Sequence, residues 1–260
     1  MMMAEWQDIA AQHWRGGDLD CTACPHSGLL AEGGCEPGRM CMQDAYARRI
    51  DRFFRTHPDL AAQHLGHEYF EVRAIAARYA DVFHLPAMMN DPDETVRLQL
   101  ALRLPQRQLL RMRDDVHREV RIRVAQRLAV EQLAPMSRDE DYHVRATVAR
   151  RLPEALLGPL IDDADLLVRR EVARRLSMPA LQRMTGDCES EVRRIVAERL
   201  PASLLDVFVD DPDLLVRWEV AGRALSPLLE TLTSDPEPEI RQRARARLSK
   251  RRPPSERDHG

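Results

Sequence analysis

Aromatic side chains are scarce: Phe, Trp and Tyr make up 5% of the 260 residues. Reading single-stranded nucleic acid by base stacking needs aromatic platforms, so that mode has little material here. Lysine is almost missing, with Lys250 the single one among 39 basic residues. The rest are Arg, whose rigid planar fork suits fixed carboxylate and carbonyl partners; a GC-rich genome produces the same bias. No run of 18 apolar residues occurs, so no membrane span is predicted. The start, MMMAEWQDIAAQHW, lacks a basic n-region and an unbroken apolar core. The chain is therefore expected in the cytoplasm, where structural disulfides are rare. A Gly-rich phosphate loop, a nucleophile elbow, an HExxH motif and the three-Cys spacing of radical enzymes are all missing, so no enzymatic activity is expected.

What the chain does have is a strict repeat. A Val-Arg step stands at Val72-Arg73, Val96-Arg97, Val120-Arg121, Val144-Arg145, Val168-Arg169, Val192-Arg193 and Val216-Arg217, and relaxed at Ile240-Arg241. The spacing is 24 residues each time. Such self-similarity predicts a stacked solenoid, in which no single unit buries enough to stand alone. Residues 48–71 read as a degenerate first copy that keeps Pro58 and Leu65.

Counting from the Val, apolar residues recur at zero, +4, +5 and +8, as in Val96, Leu100, Ala101 and Leu104. At 100° per residue they form one face of a helix. Asp-Pro-Asp precedes several helices, as in Asp91-Pro92-Asp93 and Asp211-Pro212-Asp213. It reads as a start signal, with the first Asp as N-cap and Pro at the first helical position. Pro105, Pro153 and Pro201 at +9 read as stops. A shorter second element follows, a short helix or a 3-10 turn, with apolar residues at +13 and +16 such as Leu109 and Met112. The predicted class is an all-α solenoid over residues 46–250, between a cysteine segment at 1–45 and a basic, disordered tail at 251–260.

Two rows of Arg run through the repeat. The Arg at +1 projects inside the apolar arc, where an unpaired charge is costly. An Asp recurs with the same period, at 91, 115, 139, 163, 187, 211 and 235. The reading is a ladder in which each Arg meets an Asp of its own or the adjacent repeat and fills helix-end carbonyls. The Arg at +7 (Arg103, Arg127, Arg151, Arg175, Arg199, Arg223, Arg247) lies at the edge of the arc. Its stem is expected to pack and its head to reach water, where such a row can contact phosphates. The acidic loops and a net charge of −3 count against nucleic acid as the partner.

Cys21, Cys24, Cys35 and Cys41 follow the pattern C-x2-C-x10-C-x5-C among Gly- and Pro-rich loops. A segment of this size needs a metal staple. Four thiolates suit tetrahedral zinc and equally a 4Fe-4S cluster, and the spacing leaves both open. His26 reads as a neighbour surplus to a four-Cys site. Trp6, Ile9, Ala10, His13 and Trp14 share one face at helical spacing and are read as a helix that shields the cluster or docks on the array. Cys188 reads as a spare loop thiol, and Trp218 as inter-repeat packing.

The unit Val-Arg, then Val-Ala-Arg-Arg-Leu-Pro, then Leu-Leu and an acidic loop, resembles the leucine-rich repeat variant family, over about eight copies. The cysteine segment is similar to the iron–sulfur module that accompanies some members. The resemblance implies a right-handed superhelix of alternating α and 3-10 helices without strands. It also implies a 4Fe-4S cluster on Cys21, Cys24, Cys35 and Cys41. Members are similar to products found near nitrogen-fixation genes. The first functional expectation is a redox or sensing protein whose solenoid holds a protein partner. The others are a purely structural scaffold capped by Fe-S or Zn and a nucleic-acid-binding solenoid using its Arg rows.

Overall fold

The computed structural model describes residues 9–251. The chain forms two compact units, Met1–Gln132 and Leu133–Gly260. Trp6 of the predicted helical stripe and the tail beyond Arg251 lie outside the described residues.

Unit 1 opens with loops and one short helix, α1 (Ser27–Ala31), and then builds repeats. Their first helices are α2 (Ala47–Thr56), α3 (Phe70–Tyr79), α4 (Glu94–Arg103) and α6 (Arg118–Arg127). The second elements are 3-10 turns at Pro58–His64 and Val82–Met88, then α5 (Gln106–Leu109) running into a 3-10 turn at Leu110–Met112. Unit 2 repeats the scheme with α7 (Tyr142–Arg151), α8 (Leu166–Ala173), α9 (Ser190–Arg199), α10 (Leu214–Arg223) and α12 (Pro238–Arg251). Its second elements are mostly 3-10, such as Ala202–Phe208, and the last is a true helix, α11 (Ser226–Leu232). The only β features among the described residues are two isolated bridges, His13 with Asp44 and Glu36 with Met40.

The apolar periodicity becomes the core directly. Val96, Leu100, Ala101 and Leu104 are all 0% exposed, as are Val120, Val124, Ala125 and Leu128. Each buried Val or Leu contributes about 1.5–3 kcal/mol. The second elements bury the expected pairs: Leu109 with Met112, Leu157 with Leu160, Leu205 with Phe208. Most first helices stop where the residue at +8 turns extended, while α8 ends earlier, at Ala173, with Arg174 still in helical conformation. Leu104 has φ −59° and ψ 140° while its N–H still reaches the Leu100 carbonyl. A following Pro favours that extended state, yet Ala80 and Leu128 adopt it without one. The break therefore belongs to the whole repeat.

The helix starts lie two residues later than the sequence reading placed them. The N-cap of α4 is Asp93, whose carboxylate accepts from the Thr95 N–H at 2.8 Å, and α10 is capped by Asp213 in the same way. The first Asp of the motif has another task. Asp91 Oδ1 accepts from the Asp93 N–H at 2.9 Å and both of its oxygens take the Arg of the preceding helix. Pro92 thus sits in the turn before the helix.

The +1 Arg forms the expected ladder. In unit 1 the pairs are Arg73–Asp91 and Arg97–Asp115; in unit 2 they are Arg145–Asp163, Arg169–Asp187, Arg193–Asp211 and Arg217–Asp235. Each Arg uses Nε and Nη2 on the two carboxylate oxygens. Its Nη1 donates to carbonyls just ahead of its own helix, as Arg97 does to Asp91 and Pro92. A buried guanidinium is thereby both paired and hydrogen-bonded, which is what such a charge requires.

Candidate iron–sulfur centre

The sequence stretch 9–14 is not helical. Two glycines in the left-handed region, Gly16 at φ 92° and Gly17 at φ 81°, turn the chain back. The segment ahead of them runs along residues 43–45: the Trp14 N–H donates to the Gln43 carbonyl at 3.0 Å and the Ala45 N–H to that of Gln12 at 2.8 Å. The helical spacing of Ile9, His13 and Trp14 therefore misled. Trp14 does dock on the array, stacking on Tyr69 with ring centroids 5.4 Å apart. The fastener is a buried ion pair, Arg49 with Asp44 at 3.0 Å, with side chains 3% and 1% exposed. Arg49 also donates to the carbonyls of Ile9 and Ala10.

This frame brings Cys21, Cys24, Cys35 and Cys41 to the wall of one small cavity. Leu19, Leu30 and Pro37 supply apolar wall, and His26 and Gln43 complete it. Asp20 shapes the first loop by accepting from the Thr22 and Ala23 N–H groups. The His26 N–H lies 3.4 Å from the Cys24 sulfur, placed to donate to it. No disulfide joins the described cysteines.

Burial raises two of the four thiols. Burial pushes the Cys41 thiol up to about 11, with the nearby Cys24, Asp44 and Cys21 adding and the Gln43 N–H opposing. Burial, then Cys24 and Cys21, also raises Cys35. That mutual effect comes from thiols gathered around a common space. A cationic centre reverses it, because a coordinating thiol is deprotonated outright.

All four cysteines line the one cavity. Among the described residues no three His, Cys, Asp or Glu side chains are grouped tightly enough for one ion.

His26 is more than the surplus neighbour it was read as. Its Nε2 lies 2.8 Å from Nε2 of His64, at the end of the Pro58–His64 turn. Burial lowers His26, with the charge of His57 adding. Burial also pushes His64 down to about 4, helped by His26 and His67. His57 Nε2 lies 2.6 Å from the carbonyl of Gly34, next to Cys35. The sequence reading missed His57 and His64. Their one signal was density: His57, His64 and His67 put three of nine histidines into 11 positions.

The +7 Arg row is not a row of free heads. Arg103 Nη1 donates to the carbonyls of Ala77 and Ala80, and Arg127 to those of Ala101 and Leu104. In unit 2, Arg175, Arg199, Arg223 and Arg247 make the same bond to the preceding helix, for example Arg247 to Ala221 and Ala224 at 3.0 Å. These part-exposed heads also satisfy helix-end carbonyls that have no intrahelical partner, a task the sequence reading did not assign them. Trp218 packs under Arg243, 4.2 Å from ring centroid to guanidinium carbon. Cys188 is an exposed loop thiol 3.3 Å from Arg169 Nη2.

Comparison with known proteins agrees with this geometry. Residues 11–63 match the family model "LRV protein FeS4 cluster", which implies an iron–sulfur cluster in the segment just described. Residues 142–165 match the model "Leucine rich repeat variant". An "Uncharacterized 27.7 kDa protein in nifB 3'region" of Rhodobacter capsulatus is 50% identical over 92 residues, which is 35% of this chain. The match spans 38% of that curated relative's length. A solved structure described as a leucine-rich repeat variant with a novel repetitive protein structural motif superposes with a TM-score of 0.85 at 44% identity. It covers 88% of this chain and 99% of its own. With repeat, cysteine segment and fold all in agreement, the chain belongs to the leucine-rich repeat variant family and carries that family's iron–sulfur module.

Proposed function

We propose that Cys21, Cys24, Cys35 and Cys41 hold a 4Fe-4S cluster, and that the repeats behind it offer a docking surface to a protein partner in a redox or sensing role. The observation that carries this reading is the single cavity that all four thiols line, with apolar walls and seated on the first repeat. When bound, such a cluster supplies one-electron chemistry, at a potential set by hydrogen bonds to its sulfurs and by solvent exposure. The protein's part is visible. The His26 N–H approaches Cys24, Leu19 and Leu30 limit water, and Arg49 with Asp44 fixes the loop that carries Cys41. Extended repeat surfaces commonly serve protein partners. The bonds made by the +7 Arg row weigh against phosphate contact as its purpose. The nifB-region relative supports a nitrogen-fixation context. No described helix is long and apolar enough to cross a membrane.

The experiment is an absorption and EPR spectrum of anaerobically purified protein, with iron, sulfide and zinc counted. About four iron and four sulfide per chain, with a signal on reduction, supports the reading. A colourless protein holding one zinc overturns it and leaves a zinc-capped scaffold.

A further inference from the structure

Each cysteine loop of the module is tied to the same helix–turn pair, α2 and Pro58–His64, by groups that are not the four thiols. The loop of Cys21 and Cys24 is held by His26 against His64, 2.8 Å apart. The loop of Cys35 is held by His57 on the Gly34 carbonyl at 2.6 Å; a Cβ on Gly34 would stand 3.2 Å from that ring. The loop of Cys41 is held by its own N–H on the Arg49 carbonyl, and by Arg52 on the Arg39 carbonyl at 3.0 Å. Beneath lie Phe53 and Phe54, 1% and 0% exposed, with His26 and His57 against Phe53 and His64 against Phe54. The path continues into the repeats. The His67 N–H reaches the His64 carbonyl, and the carbonyls of His67 and Glu68 receive Nη1 of Arg73, the first rung of the ladder, which grips Asp91.

We infer that His26, His57 and His64 are positioning residues that couple occupancy of the thiol cavity to the order of the first repeat, so that cluster loss loosens α2 and Pro58–His64. The inference rests on the cluster assignment above. The three thiol loops have little core of their own. A bound cluster cross-links them, and the imidazoles transmit that restraint as an ordering of residues 47–69. Two sites biased through one ordered element are coupled in free energy, and here the element is named.

Hydrogen exchange on the full-length chain tests this, comparing loaded protein with the same preparation cleared by chelator and oxidant. Peptides from 47–69 should exchange about tenfold faster once cleared, while those from 190–223 stay unchanged. In His64→Ala and His57→Ala that still count full iron, the same peptides should already exchange fast when loaded and respond little to clearing. His64→Gln, which keeps a polar partner for His26, should restore the response. Equal exchange of 47–69 in loaded and cleared native protein overturns the coupling, and alanine variants that respond like the native chain overturn the role of the histidines. If the alanine variants fail to fold, the native comparison and His64→Gln still decide. A native preparation without iron is a separate result, because it removes the cluster assignment before any exchange is measured.

Discussion

A well-buried rung of the ladder gives the sharpest stability test. Arg217 and Asp235 have side chains 10% and 2% exposed, joined by Nε at 2.8 Å and Nη2 at 3.2 Å. Asp235→Ala removes the carboxylate but leaves the guanidinium enclosed, with only the carbonyls of Asp211 and Pro212 as partners. Stranding a buried charge in this way costs about 3–5 kcal/mol. The Glu237 N–H loses its acceptor as well, so the upper half of that range is expected. At roughly 2–4 °C per kcal/mol for a body of this size, the melt should fall by about 10 °C or more. Repeat arrays lose cooperativity, so the drop should appear first in unit 2. The assay is urea and thermal unfolding by circular dichroism, with two companions. Arg217→Met/Asp235→Leu should recover most of the loss, since an apolar pair of similar volume is often neutral. Asp162→Ala breaks the exposed 3.9 Å pair with Arg183 and should change stability by less than about 1 kcal/mol. A cost below about 1 kcal/mol for Asp235→Ala would place the rung with surface bridges and refute the ladder as a source of stability.

Three further outcomes follow from the same structure. Acid should unfold the array. The Asp91, Asp163, Asp187 and Asp235 carboxyls are pushed up by burial, but more strongly down by their Arg and by a backbone N–H, and end below the usual carboxylate value of 3.8. Their contribution is complete above the unfolded-state pKa and vanishes as pH falls through the folded one. Stability should therefore be level near neutrality and drop below about pH 4; a plateau down to pH 2 would contradict it. Arg127→Met should cost about 1–3 kcal/mol in urea unfolding, because the Ala101 and Leu104 carbonyls lose a charged donor; a neutral result would mean water replaces it fully. Thiol labelling of metal-free protein at pH 8 should modify exposed Cys188 well before Cys41, whose thiol stays protonated there; equal rates would contradict the burial of the cavity.

Local rules made some of this legible and tertiary geometry hid the rest. The period of 24 with apolar residues at zero, +4, +5 and +8 determines a helix face, and in the seven Val-Arg copies that face became the core residue for residue. The +1 Arg was legible because a charge inside an apolar arc must have a partner, and one Asp recurs in step with it. The N-cap was misplaced because Asp91 and Asp93 are chemically equal as caps. Only the Arg73 fork arriving from the preceding helix separates them, leaving Asp93 for the helix end. The partner of the +7 Arg was not legible because a helical wheel gives an angle but no neighbour. The carbonyl that Arg127 satisfies lies 26 residues back, on the helix before its own.

The cysteine segment shows the same division more sharply. Four thiols at a spacing open to zinc or iron–sulfur are visible in one dimension, whereas a shared cavity is not. The glycine turn at Gly16 and Gly17 converted an apparent helix into a strap paired with residues 43–45. His57 and His64 carry no motif, since their meaning comes wholly from which loop stands opposite. A ligand set can be proposed from sequence because coordination constrains residue type. The groups that hold those loops in register with the repeats are constrained only by place. In this chain those groups are His57, His64, Arg52 and the Arg49 carbonyl, and no pattern in the sequence marks any of them.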